Sequence, residues 1–331
     1  MTSSGETKTN YARRFMWFAL AIVVVIAAYT GAWHYAASFL GDRFNASIAS
    51  LNREGRRANC EDAEVRGYPF RIGIFCNSVM YENAAAGVGF RARAFRSASQ
   101  VYAPHRALGE LDGPATLEIP GLAALDLHWD SMRASARLAT PLPERVSVES
   151  RALTVRIDEP GDVSPLLMAA EIFEVHLRPA GNDLDLANRF TRLQVAPELL
   201  PLENAPLFNG LVDFQLTDGA MAPGALESLR GRSGVLRAAT VSIDGSEAQA
   251  SLSGPVSVDA QGVIDANFEL KLRQPAEIAR ILTALFPESA REIALSAAGI
   301  AAMGNEMSLP LRISRGEVTL GFFTLGVIPP L

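Results

Sequence analysis

The sequence predicts a strand-dominated α+β protein: an N-terminal transmembrane helix followed by extended, mainly antiparallel β-sheet with a few packing helices. Three observations carry this expectation. Phe15 to Trp33, FMWFALAIVVVIAAYTGAW, is a run of 19 residues without a charge. From Gly87 onward apolar and polar residues alternate over long stretches, which is the period of a half-buried strand. A helical period returns only after Pro275, and no alternating βαβ series is present.

The N-terminal run nearly matches a hydrocarbon core of about 30 Å at a helical rise of about 1.5 Å per residue. Aromatic residues stand at both of its ends, Tyr11, Phe15 and Trp17 on one side and Tyr29, Trp33 and Tyr35 on the other, as in an interfacial belt. A cleaved signal peptide would have a shorter apolar core and a small-x-small site. The run is longer than that, so residues 15–37 read as an uncleaved anchor and 1–14 as a cytoplasmic tail. Lys8, Arg13 and Arg14 precede the span, but Arg43, Arg53, Arg56 and Arg57 follow it, so basic residues alone leave orientation open. Trp33, Ala37, Leu40, Phe44, Ile48 and Leu51 then step by four and three, predicting an amphipathic juxtamembrane helix over 38–58 that ends near Gly55. Such a stripe serves either a stalk or packing on the helix's own domain.

The only two cysteines enclose CEDAEVRGYPFRIGIFC, Cys60 to Cys76. Paired cysteines in an exported chain form a disulfide, and a metal site would need further ligands that are absent nearby. This places the body, residues 59–331, on the exported side of the membrane. Pairing Cys60 with Cys76 in a hairpin centres the turn on Tyr68, between Gly67 and Pro69, residues suited to a turn. Downstream, Phe70, Ile72, Ile74 and Cys76 share one face; upstream the alternation is poor, since Asp62 and Glu64 would oppose Ile74 and Ile72. Closing a loop of this length contributes roughly 3 kcal/mol in the chain-entropy model.

Together the anchor, the block RANCEDAEVRGYPFRIGIFC with Gly67-Tyr68-Pro69-Phe70-Arg71 at its centre, and the ending GEVTLGFFTLGVIPPL resemble the bacterial domain-of-unknown-function family 2125. The resemblance implies an inner-membrane anchor and a periplasmic body, and it implies no reaction. LSGPVSVDAQGVIDANFELKL is similar to the strand-turn-strand units of envelope proteins related to AsmA, whose long curved sheets are thought to carry lipid.

Further along, VGFRARA alternates from Val88 to Ala94, and LDLHWD from Leu125 to Asp130. IFEVHLRPAGNDLDLANRF reads as a hairpin about Ala180-Gly181-Asn182-Asp183. A second strand-rich run spans about Gly234 to Leu272, with turns at Asp244-Gly245 and Gln261-Gly262. Pro275 suits a first helical turn, and Ile278, Ile281, Leu282, Leu285 and Phe286 give one apolar face before Pro287. A second helix is expected over about Glu288–Met303, and a strand or hairpin over Glu317–Ile328. The likeness of DGPATLEIPGLAALDLHW to SGPVSVDAQGVIDANFEL raises two similar sheet units, about 59–195 and 196–331.

Composition narrows function by exclusion. With 49% hydrophobic and 20% charged residues the chain can build a core. A net charge of −6 argues against nucleic acid as partner. Lysine occurs only at 8 and 271, so arginine carries the positive charge, and Arg43–Arg106 is net basic beside the anchor while the remainder is acidic. That arrangement suits anionic headgroups or simply solvates strand faces. GVGFRA, Gly87 to Ala92, has a dinucleotide-like spacing, but strand alternation runs through it where a helix would have to begin. No P-loop and no G-x-S-x-G elbow occurs. His128 and His176 fall on the polar positions of strands. Asp126-x-His128-x-Asp130 would line one strand face with three potential metal ligands about 7 Å apart in succession; one ion reaches all three only where the strand is bent, and otherwise the three decorate a polar face. No cofactor is implied. The expected function is a non-enzymatic envelope protein that binds or conveys a hydrophobic ligand such as membrane lipid. The alternatives are a scaffold for another envelope protein and, last, a metal-dependent hydrolase.

Overall fold

The computed structural model describes residues 11–53, 55–140, 142–158, 165–197, 199–200, 205–221, 229–285, 287, 290–291, 304–321 and 323–330. The first element is one continuous helix, α1 (Tyr11–Arg53). It is about 64 Å long at the helical rise, long and apolar enough to cross a bilayer, and its most apolar part is not buried against the rest of the chain. The anchor and the juxtamembrane helix are therefore one rod. The expected end at residue 58 is corrected to Arg53: Gly55 takes a positive φ of 77°, and Arg56–Cys60 pairs as a strand.

Among the described residues twenty strands follow, all paired antiparallel in one sheet. Those of the first part are β1 (Arg56–Cys60), β2 (Glu64–Arg66), β3 (Arg71–Cys76), β4 (Val79–Asn83), β5 (Val88–Ala92), β6 (Phe95–Gln100), β7 (Ala103–Leu111), β8 (Ala115–Glu118), β9 (Leu125–His128), β10 (Ser131–Arg137) and β11 (Arg145–Ile157). Long strands then run as β12 (Leu166–Ala180), β13 (Asp183–Val195), β14 (Phe208–Leu216), β15 (Arg232–Ile243), β16 (Gln249–Val258) and β17 (Ile264–Arg273). After α2 (Pro275–Leu285) come β18 (Glu306–Ser314), β19 (Glu317–Leu320) and β20 (Phe323–Val327). The second expected helix, Glu288–Met303, lies almost wholly outside the described residues.

The short early strands are halves of longer ones. On one edge of β11, β10 pairs with residues 145–151 and β9 with 154–157 in the same register. Likewise β3 pairs with β6 and β4 with β5 as one continuing ladder. The interruptions fall at Asp62, Asn77-Ser78, Arg93-Ala94, Gly113-Pro114, Trp129-Asp130 and Ala152, and the line continues to Arg192 on β13. Asp62, Ala152 and Arg192 all have φ near +50°. Gaps in the ladder and residues at positive φ thus line up across neighbouring strands, and this row is a crease. Trp129 Nε1 donates to the Leu111 carbonyl at 2.8 Å across it, and Arg96 grips Asp112 through both guanidinium nitrogens.

Three departures from the sequence reading follow, the first two of them from the crease. Alternation in VGFRARA stops at Ala92, and that in LDLHWD stops at His128. The Cys60–Cys76 hairpin has a different register. Val65 opposes Ile74, Glu64 opposes Phe75, and Cys60 opposes Val79 rather than Cys76. The shifted register puts an apolar residue against Ile74 and removes Asp62 into the crease.

Pairing also runs without a seam across the 195/196 division, because β13 pairs with β14. The two similar segments both form hairpins, β8–β9 and β16–β17, with Gly-Pro at a bend in each. The hairpin of β12 and β13 turns on Gly181-Asn182, with Ala180 opposite Asp183.

Candidate functional site

From β11 to β18 the pleat separates two unlike faces. Val148, Val175, Asn188, Val212, Ala239, Leu252, Leu270 and Leu309 lie in one cross-strand row. All eight are half-buried. Flanking rows on the same face hold Phe173, Phe190, Leu186, Phe214, Phe268 and Leu311. At one end α2 and Leu200 close over this face in a cluster of Leu200, Ile243, Ala248 and Ile281, with Phe208 and Ile278 packed against it.

The opposite face carries ion pairs between neighbouring strands. Arg189 meets Glu174 at 3.0 Å and Arg273 meets Glu306 at 2.9 Å. At its centre Asp185, only 8% exposed, accepts from Arg178 at 2.7 Å, while Arg237 approaches its other oxygen at 2.9 Å. Burial alone would raise the Asp185 carboxyl; the Arg178 and Arg237 guanidiniums outweigh it and hold the group below its ordinary value. On the same face Ser308 and Lys271 hold the Glu269 carboxyl low. A shallow depression of about 430 Å³ at the Gly254 bend is lined by Glu269, Pro310 and Arg312 among others. Its carboxylate is an ionised acceptor there and not a proton donor.

The second feature is a latch between α1 and the turn of residues 67–71. Trp33 Nε1 donates to the Arg71 carbonyl at 2.9 Å, and Tyr29 Oη donates to the Pro69 carbonyl. Thr30 Oγ1 and the Tyr68 hydroxyl are hydrogen-bonded at 2.8 Å, and the Trp33 and Tyr68 rings meet edge to face at 5.5 Å. Gly67, with φ of 122°, lets the turn close, since a Cβ there would lie 2.8 Å from the Arg71 carbonyl carbon. Phe70 points outward instead, 68% exposed. Further up, the helix stripe read from the sequence is the packed side: Trp33 and Ala37 are buried, and Leu40, Phe44, Ile48 and Leu51 are half-buried. Asn52 hydrogen-bonds both polar groups of the Ala58 backbone. A disulfide joins Cys60 to Cys76, with Cα atoms 5.3 Å apart, beside the crease. Sequence periodicity showed the stripe but not the latch, whose partners are 38 to 40 residues apart.

Two polar constellations on the sheet have side chains of the types that carry chemistry. Asp126 and His128 are neighbours at 3.6 Å, but Asp130 lies past the end of β9 and joins neither. The expectation of three ligands on one strand face is therefore corrected: the crease at Trp129-Asp130 ends the alternation that would have aligned them. Among the described residues no three His, Cys, Asp or Glu side chains come together as a metal site. The other constellation escaped the sequence reading: His176 Nδ1 is 2.9 Å from Ser147 Oγ, and His176 Nε2 is 3.8 Å from Glu174. It has the composition of a nucleophile, base and orienting acid. Yet Glu174 is held by Arg189, and β11 and β12 spend their amides on the sheet ladder.

An amphipathic sheet, a helix latched to a Gly-Tyr-Pro-Phe-Arg turn and a disulfide beside it are thus what a relative should share. The family model described as "Uncharacterized protein conserved in bacteria (DUF2125)" matches residues 33–329. The chain belongs to this family. The match starts at Trp33, one of the three latch residues on α1, and takes in the whole sheet. No curated protein matches the chain.

Proposed function

We propose that this DUF2125 protein is held at the bacterial inner membrane by α1, with its sheet in the periplasm, and that the apolar sheet face takes a hydrophobic ligand such as a lipid acyl chain without chemical change. The observation that carries this reading is the half-buried row from Val148 to Leu309, apolar at every position except Asn188 and backed by a face of ion pairs. A sheet face sealed in a core is fully buried, whereas a face that meets a mobile apolar ligand stays partly open. The disulfide supports an oxidising compartment. The test is mass spectrometry of lipids retained by the full chain after detergent exchange. Stoichiometric lipid is expected; a lipid-free protein of unchanged thermal stability sinks the reading.

A scaffold role has one observation in its favour. Among the described residues β20 pairs on one side only, with β19, and Leu325 and Val327 are exposed on it. Such an edge can accept a partner's strand. Crosslinking from β20 to one abundant envelope protein would support that role over the lipid one.

A further inference from the structure

Exposed apolar side chains occur at both ends of the sheet, so exposure alone does not say which end meets anything. Phe70, Tyr102 and Leu138 are 68%, 74% and 50% exposed at one end, and Leu122 is 62% exposed at the other. The direction of α1 separates them. Asn52 is bonded to Ala58, Gly41 lies over Val65, and Trp33 is bonded to Arg71, so the helix runs antiparallel beside β1 and β2. From Asn52 to Trp33 the helix rises about 28 Å, and the strand from Ala58 to the turn covers about 30 Å. The similar lengths mean that the strands stand nearly along the helix axis. Immediately N-terminal to Trp33 the uncharged run begins, with Tyr29 bonded to Pro69 inside it. The turn end of the sheet therefore faces the bilayer that α1 would cross.

Three neighbouring turns meet at that end. Val101 N donates to the Phe70 carbonyl at 3.1 Å, placing Tyr102 beside Phe70, and Leu138 N donates to the His105 carbonyl at 2.7 Å. Arg71, His105 and Arg106 are exposed just behind the tips. Aromatic tips with cations behind them fit the headgroup and upper acyl region of an anionic bilayer. Successive strands rotate by about 20–25°, which tilts later turns away, and the turn of β12–β13 is Gly181-Asn182 with no apolar side chain.

We infer that Phe70 and Tyr102, flanked by Leu138, form a second and peripheral membrane contact that sets the sheet upright on the bilayer. This rests on α1 being the anchor, and the experiment keeps the two apart. The photoreactive residue p-benzoylphenylalanine replaces Phe18, Phe70, Tyr102 or Leu122 in the full chain, which is irradiated in membranes isolated from the expressing cells. Lipid adducts at 18, 70 and 102, several-fold above position 122, are expected. Adducts at 18 with none at 70 and 102 overturn the contact and leave the anchor. No adduct even at 18 overturns the anchor itself. Protein adducts at 70 and 102 also overturn the contact, because a partner then occupies the tips. Formation of the Cys60–Cys76 disulfide in each variant reports that its body has folded.

Discussion

Trp33 and Arg71 are joined by a 2.9 Å hydrogen bond from the indole to a backbone carbonyl, across 38 residues of chain. Trp33 is 7% exposed, so that bond is shielded from water. Trp33→Phe keeps most of the ring and leaves the carbonyl without its donor, at a cost of about 1–3 kcal/mol. The unfolding midpoint of the detergent-solubilised chain should fall accordingly. An unchanged midpoint would mean that the latch contributes nothing to stability.

The disulfide makes a prediction about place as well as strength. Cys60→Ser with Cys76→Ser should lower stability by roughly 3 kcal/mol in the chain-entropy model. In wild-type cells quenched with a membrane-permeant alkylating reagent, both thiols should resist labelling until reduced. Rapid labelling without reductant would place the body in a reducing compartment.

Much of this architecture was legible, and the illegible part has one physical source. The hairpin at Gly181-Asn182 was readable because regular alternation flanks a two-residue turn on both sides. The register of the Cys60–Cys76 hairpin departs from the expectation because the bonded cysteines are not directly opposed: one register runs from Glu64–Phe75 to Cys60–Val79, so Cys60 meets a residue three past Cys76. The crease is hidden at Asp62, Arg93-Ala94 and Trp129-Asp130 because each is a one-strand irregularity, and only their alignment across the sheet gives them meaning. The apolar face was visible residue by residue as alternation, but its width across eight strands depends on pairing between distant segments. Ser147 and His176, 29 residues apart, met for that reason too.

Close backbone approach between β3 and β6 can be tested with glycines. A Cβ on Gly73 would lie 1.8 Å from the Ser97 carbonyl oxygen, and Ser97 Oγ already bonds both polar groups of Ile74. Gly73→Ala must move backbone and should cost about 1–3 kcal/mol or more. At Gly31, on the open side of α1, nothing lies within 4 Å, and Gly31→Ala should leave the midpoint unchanged or raise it slightly. Equal effects at the two positions would refute the close approach.

Acid should weaken the charged face at Asp185. Its folded-state pKa lies below the ordinary 3.8, held there against burial by Arg178 and Arg237. A depressed carboxyl stabilises the fold above the unfolded-state value, and that contribution is lost as pH falls through the folded value. Asp185→Asn should therefore lower the unfolding midpoint at neutral pH, and the difference from wild type should shrink as pH falls below the ordinary carboxylate value. A constant difference from neutral pH to strong acid would show that packing and not charge is responsible.

The two faces of the sheet give the sharpest test of the ligand reading, because adjacent residues on one strand should behave oppositely. Leu270 lies in the apolar row between Leu252 and Leu309, and Lys271 next to it pairs with Glu269 on the charged face at 3.2 Å. Leu270→Gln puts an amide where an acyl chain would lie, and a polar group without a partner in such surroundings costs about 1–3 kcal/mol. Retained lipid should fall about five-fold or more by that measure. Lys271→Gln exchanges an exposed ion pair worth about 0–1 kcal/mol and should leave retained lipid unchanged. Thermal midpoints of both variants separate lost binding from lost folding. If Lys271→Gln depletes lipid as much as Leu270→Gln does, the apolar face is not where the ligand sits.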